Sequence, residues 1–133
     1  MKITKVGTQP SIKGIAERYT GQVRVDPLVP EPNTPSRVTS TLVTFEPSGR
    51  TRWHRHPLGQ VLIVTSGSGY VQCQDGPVQR INPGDVVWIE PNERHWHGGT
   101  ATTAMSHVAI QEDLNGSTAE WFEEVSESEY GKE

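Results

Sequence analysis

From Thr39 onward, apolar positions fall in short runs that alternate with polar ones. The segments "TSTLVTFEP", "TRWHRH", "QVLIVTSG", "SGYVQCQ", "PVQRI", "DVVWIEP", "RHWHG" and "TTAMSHVAIQ" each carry the two-residue period of a strand. Turn chemistry separates them: Pro47-Ser48-Gly49, Pro57-Leu58-Gly59, Gly67-Ser68-Gly69, Asp75-Gly76-Pro77 and Asn82-Pro83-Gly84-Asp85. Strands of this length and spacing predict a sandwich or a barrel. The runs "VLIV" and "VVWI" are apolar on both faces, as expected of a strand buried between layers or at a subunit interface. A homodimer or homotetramer is therefore expected.

The ends have a different texture. "GQVRV" is the best strand in the first 25 residues, and "DPLVPEPNTPSR" follows with prolines at 27, 30, 32 and 35. Proline removes backbone donors, so this stretch reads as a surface loop or an edge segment. The tail "STAEWFEEVSESEYGKE" has Ser117 and Ser126 as N-caps with acids behind them. It predicts one or two short helices that pack Trp121 and Phe122 on the outside of the β body. The expected division is an arm and Pro-rich loop over 1–38, a barrel over 39–116 and a helical tail over 117–133, in one domain.

Composition narrows the function classes. The 133 residues carry a formal net charge of −4, with charges scattered along the chain. No basic patch suggests nucleic acid. No apolar run is long enough to span a membrane, and the first residues carry no signal-like apolar core. Cys73 is the single cysteine, which fits a reducing compartment and a cytoplasmic location. Its surroundings offer nothing to activate a thiolate, so it reads as a core residue.

The chemistry concentrates in the histidines. Four of the 5 histidines form two HxH pairs, His54/His56 and His95/His97. Alternate residues of a strand share a face, so each pair can aim into one cavity. On the last strand Thr103, Met105, His107, Ala109 and Gln111 share a face in the same way. Imidazole suits manganese, iron, nickel, copper and zinc, and the amide of Gln60 adds a neutral oxygen.

The order of these residues resembles the cupins, a family of double-stranded β-helix or jelly-roll barrels. Gly49, His54-Arg55-His56, Gln60 and Gly67 follow the first cupin motif, and Gly84, Pro91 and His95 follow the second. The chain departs from the pattern at Gly49, one residue nearer His54 than usual, and at His95, which lacks a preceding glycine. It departs most at Gln60, where most cupins carry glutamate. The resemblance implies that His54, His56, Gln60 and His95 are metal ligands. A neutral amide leaves a divalent ion with more net charge than a carboxylate would, which favours polarising a hydroxyl or carbonyl over oxygen chemistry.

Within the cupins, "FEPSGRTRWHRHPLGQ", "PGDVVWIEP", "HWHG" and "TTAMSHVAIQE" are similar to small bacterial monocupins that include the manganese-dependent hydroxynitrile lyases. That likeness implies an all-β barrel and a divalent cofactor, manganese first, with iron, nickel or zinc as alternatives. It implies cleavage or formation of cyanohydrins, with His107 and His97 as proton-transfer groups. Gln111, Thr41 and Val43 would face a small-molecule substrate. The competing expectations are a cupin dioxygenase or isomerase and a non-catalytic small-molecule binder.

Overall fold

The computed structural model describes residues 1–132 and forms an antiparallel jelly-roll barrel of two curled sheets. Thirteen strands follow in order: β1 (Ile12–Lys13), β2 (Tyr19–Thr20), β3 (Val23–Val29), β4 (Val38–Phe45), β5 (Arg50–Thr51), β6 (His54–Arg55), β7 (Gln60–Gly67), β8 (Gly69–Cys73), β9 (Gln79–Ile81), β10 (Val86–Ile89), β11 (His95–Gly99), β12 (Met105–Glu112) and β13 (Glu120–Trp121). One sheet has the order β1-β3-β4-β12-β7-β10. The other runs β13-β6-β11-β5-β2, with β8 and β9 continuing from β11. The expected all-β barrel is therefore present.

The alternating pattern sorts side chains between the barrel lumen and the outside. On β12, Met105, His107 and Ala109 are buried, while Ser106, Val108 and Ile110 are only half-buried. Strand registers then align the inward residues in rows. Thr39, Gln111 and Gln60 lie opposite one another across β4, β12 and β7, as do Thr41, Ala109 and Leu62. The next row holds Val43, His107 and Val64. Below it, Phe45, Met105, Val71 and Ile81 close that end of the barrel with apolar packing. One end of the lumen is thus filled, and the other is left for polar chemistry.

Tight turns set these registers. Gly67 adopts φ +75, and a Cβ there would lie 1.9 Å from the Ala104 carbonyl oxygen. Only glycine supplies both the backbone sign and the missing atom. At the β4–β5 turn Ser48 takes the positive φ, 68°, while Gly49 is needed for contact: a Cβ would meet the carbonyls of Gln22 and Glu46 at 2.8 and 2.9 Å. That division of labour explains why the motif glycine sits one residue late.

Two expectations need correction. No helix forms among the described residues, so the short C-terminal helix is absent. Ser126 and Glu129 do make a reciprocal capping box, with Glu129 N–H donating to Ser126 Oγ at 3.2 Å and Ser126 N–H donating to Glu129 Oε1 at 3.0 Å. It closes one turn, ending at Gly131 with φ +76. A single turn cannot offset the entropy of nucleating a helix. Second, Trp121 lies in β13, paired to β6 opposite His54, and not on a helix outside the barrel. Pro27, by contrast, lies in an edge segment as expected: it pairs with Thr41 on one side, and the register slips before Val29. β1 covers only Arg24 and Val25 on the far side, so Pro27 withholds its missing donor at an open edge.

A second apolar cluster lies on the outer face of the β11 sheet, where Trp53, Tyr70, Val78 and Trp96 are covered by Val125 of the tail. Arg50 ties that tail down: its guanidinium donates to the Val125 carbonyl at 2.9 Å and stacks over Tyr130. The outer face of the β12 sheet is less covered. Val86 and Trp88 are 66% and 53% exposed.

Candidate metal centre

The open end of the barrel holds a cavity of about 380 Å³, within the size range of small-molecule sites. His54, His56, Gln60, His97, His107, Gln111, Thr41 and Val43 all line it. His95 stands directly behind, fully buried, with its ring 4.2 Å from that of His54 and 5.4 Å from that of His56. Every site residue expected from the sequence is therefore gathered at one place.

Strand geometry brings them there. His54 on β6 and His95 on β11 are direct cross-strand partners. His97, two residues on, shares the inward face with His95 and reaches β12, where its Nδ1 lies 2.9 Å from His107 Nε2. One nitrogen from each of His54, His95 and His97 falls within 4.8 Å of the others. His97 thus belongs to two groups at once, the imidazole cluster and the pair with His107.

Backbone carbonyls fix the tautomers of three rings. His54 Nδ1–H donates to the Arg52 carbonyl at 2.9 Å, His56 Nδ1–H to that of Thr118 at 2.7 Å and His95 Nδ1–H to that of Glu93 at 2.8 Å. A carbonyl can only accept, so each Nδ1 carries the proton and each Nε2 carries a lone pair. The orientation of metal-ligating histidines depends on this kind of support.

Burial keeps the cluster neutral. It pulls His54 well below the ordinary imidazole range, helped by His95 and His56, and the Arg52 carbonyl opposes it only in part. His56 is lowered by burial against upward pulls from the Thr118 carbonyl and Gln60. Burial takes His95 down to about 3 and His107 down to about 4. His97 is lowered by burial and then by His107 and the other rings. Five neutral imidazoles in one cavity are rich in lone pairs and poor in protons.

That arrangement fits a cation. His95 Nε2 faces Gln60 Oε1 at 3.2 Å. With the His95 proton on Nδ1, both facing atoms are acceptors, and no hydrogen lies between them. His56 Nε2 is buried with no hydrogen-bond partner among the described residues. Buried acceptors in this state are costly. A divalent ion shared among them removes the conflict, and three imidazoles with an amide oxygen form a donor set suited to manganese, iron, nickel or zinc.

Several site residues have no signature in the sequence. Thr118 contributes its carbonyl. Trp121 stacks on His54 at 4.4 Å with an interplanar angle of 16°. Thr51 Oγ1 accepts from the His97 backbone N–H at 3.2 Å. Arg18 and Tyr19 form part of the cavity wall, with Arg18 over the Trp121 ring. Cys73 lies outside the cavity, half-buried, with burial and Glu93 pushing its thiol up to about 12.

Comparison with known proteins follows the same outline. Residues 41–110 match the family described as Cupin domain. The chain is 54% identical over 130 residues to an (R)-mandelonitrile lyase of Granulicella tundricola, covering 98% of each protein. Among solved structures, a cupin-like protein from Thermotoga maritima superposes with a TM-score of 0.86 at 38% identity, over 96% of this chain and 95% of the other. A polyketide cyclase from Streptomyces resistomycificus shares the fold with a TM-score of 0.75 at 20% identity, over 98% of this chain and 90% of the other.

Proposed function

The chain belongs to the cupin family, and from that premise we propose that it is a metal-dependent hydroxynitrile lyase, splitting a cyanohydrin such as (R)-mandelonitrile into an aldehyde and hydrogen cyanide. What carries this reading is the conjunction of a lone-pair-rich cavity with 54% identity to a protein of that name over 98% of the chain.

In this reading His54, His56 and His95 through Nε2 and Gln60 through Oε1 hold a divalent cation, manganese first. When bound, the cation supplies Lewis acidity towards the substrate oxygen. The remaining work falls to the protein. His97 Nε2 is buried with no hydrogen-bond partner among the described residues, while its Nδ1 is engaged with His107. If Nδ1 donates to His107, Nε2 presents a lone pair and takes the substrate hydroxyl proton. The carbon–oxygen double bond then forms as the carbon–carbon bond breaks, and the electron pair leaves with cyanide. The proton on His97 passes to cyanide, so the sum is cyanohydrin to aldehyde plus hydrogen cyanide. Trp121, Val43 and Ala109 give the substrate side chain an apolar wall, and Thr41 sits beside them.

A cytoplasmic location and a homodimer or homotetramer, formed through the outer face bearing Val86 and Trp88, complete the proposal. No helix among the described residues is long and apolar enough to cross a membrane.

The test is mandelonitrile cleavage, followed by benzaldehyde absorbance, with protein stripped of metal and then reloaded. Cleavage should require metal and return with Mn²⁺, and the (R) enantiomer should be consumed faster. Cleavage indifferent to metal, or none with the metal sites filled, would overturn the assignment.

A further inference from the structure

The amide of Gln60 has two ends, and only its oxygen can face a cation. Which end faces inward depends on what holds the other. Gln60 Nε2 donates to Gln111 Oε1 at 3.0 Å. Gln111 Nε2 in turn donates to Thr39 Oγ1 at 2.8 Å and approaches the Thr39 carbonyl at 3.4 Å. Thr39 Oγ1–H donates to the Gln111 backbone carbonyl at 3.1 Å. Its hydroxyl proton is therefore spent, and both oxygens of Thr39 meet Gln111 as acceptors.

Thr39 presents only acceptors, so the Gln111 amide must turn its NH₂ towards β4. Gln111 Oε1 then faces β7, where it can only accept. Gln60 must meet it with NH₂, leaving Gln60 Oε1 aimed at His95. The three side chains occupy a single row across β4, β12 and β7. All three lie in the cavity wall.

We infer that Thr39 and Gln111 are positioning residues: a directional hydrogen-bond relay that locks the Gln60 amide with its oxygen towards the metal centre. This rests on the metal reading above. Gln111 then acts on the ion through Gln60, since both ends of its amide are engaged. The relay also gives a reason for an amide at position 60. A carboxylate there would set its oxygen against Gln111 Oε1, acceptor against acceptor.

The experiment is a titration of metal-stripped protein with Mn²⁺ alone, reading free aquo-Mn²⁺ by electron paramagnetic resonance. Gln111→Leu should weaken binding about 10- to 100-fold, the usual range for losing an outer partner of a ligand. Thr39→Val, nearly isosteric, should weaken it about 5-fold, as loss of one hydrogen bond predicts. Thr39→Ser should bind as the wild type does. The deciding arm repeats Gln111→Leu in a Gln60→Glu background. A carboxylate offers oxygen whichever way it turns, so the substitution should cost nothing there, or improve binding. Equal losses in both backgrounds would mean that Gln111 only supports the strands, overturning the relay while the metal reading stands. Failure of the wild-type chain to bind Mn²⁺ would overturn both. Thermal melts of each variant verify that it is folded.

Discussion

At the scale of single residues, the proposed proton chemistry rests on the His97–His107 pair. His107 Nε2 lies 2.9 Å from His97 Nδ1, and both rings are buried. With the His97 proton on Nδ1, as proposed, His107→Leu leaves that buried N–H without an acceptor. The His97 tautomer should then reverse, putting its proton on Nε2, where a base is needed. Turnover should fall by about 10²- to 10⁴-fold, the range general-base help supplies, with Mn²⁺ content unchanged. His107→Gln, which restores an acceptor oxygen, should recover part of the activity. Intact turnover in His107→Leu, or loss of metal with it, would contradict this division of roles.

The residue types at the centre were legible in the sequence because the first cupin motif is a spacing rule. His54, His56, Gln60 and His95 could be named from it, and the structure gathers them. The direction of the Gln60 amide could not be read, because it depends on Thr39 and Gln111, on two other strands. Nor could the partner of His56, because a backbone carbonyl leaves no mark in residue type.

At the scale of elements, β7 was the easiest to delimit, since Gly67 ends it. Both the positive φ and the clash with the Ala104 carbonyl forbid a side chain there. Gly67→Ala should force the β7–β8 turn away from the start of β12 and loosen the register that sets His107 opposite Val64. A loss of about 2 kcal/mol or more is expected, from strain added to a tight contact. Urea unfolding measures it, and a change within 0.5 kcal/mol, about the usual size for a surface substitution, would refute it. The tail was misread at this scale for a physical reason. Ser126 and Glu129 carry a genuine helix-start signal, but only one turn follows. Residues before it find better hydrogen bonds in the sheet, where Phe122 N–H donates to the Trp53 carbonyl at 2.8 Å and Trp53 N–H to that of Glu123 at 3.1 Å. Local propensity yielded to long-range pairing.

At the scale of the whole molecule, five buried neutral histidines tie folding to pH. Their folded values are lowered, so the unfolded chain takes up protons first as the pH falls. Above about 6.5 both states are neutral and stability is full. Below it the unfolded state is favoured, by up to about 1.4 kcal/mol per histidine per pH unit. The loss continues until the folded rings titrate, near 4 for His107 and near 3 for His95. Metal-stripped protein should therefore melt at steadily lower temperature from about pH 6.5 down to about pH 4.5, and a flat profile would contradict the burial argument. Added Mn²⁺ should raise the curve most at neutral pH, because ions and protons compete for the same lone pairs.

The carbonyl that orients His56 belongs to Thr118, 62 residues downstream. A ribosome makes the chain from its N-terminus, so all five imidazoles exist before that oxygen does. Until the last stretch is added, His56 is free to turn, and the cavity has no Trp121 against His54. The finished geometry of the centre therefore arrives late in the life of the nascent chain, and the segment that resembles an appendage is the one that completes it.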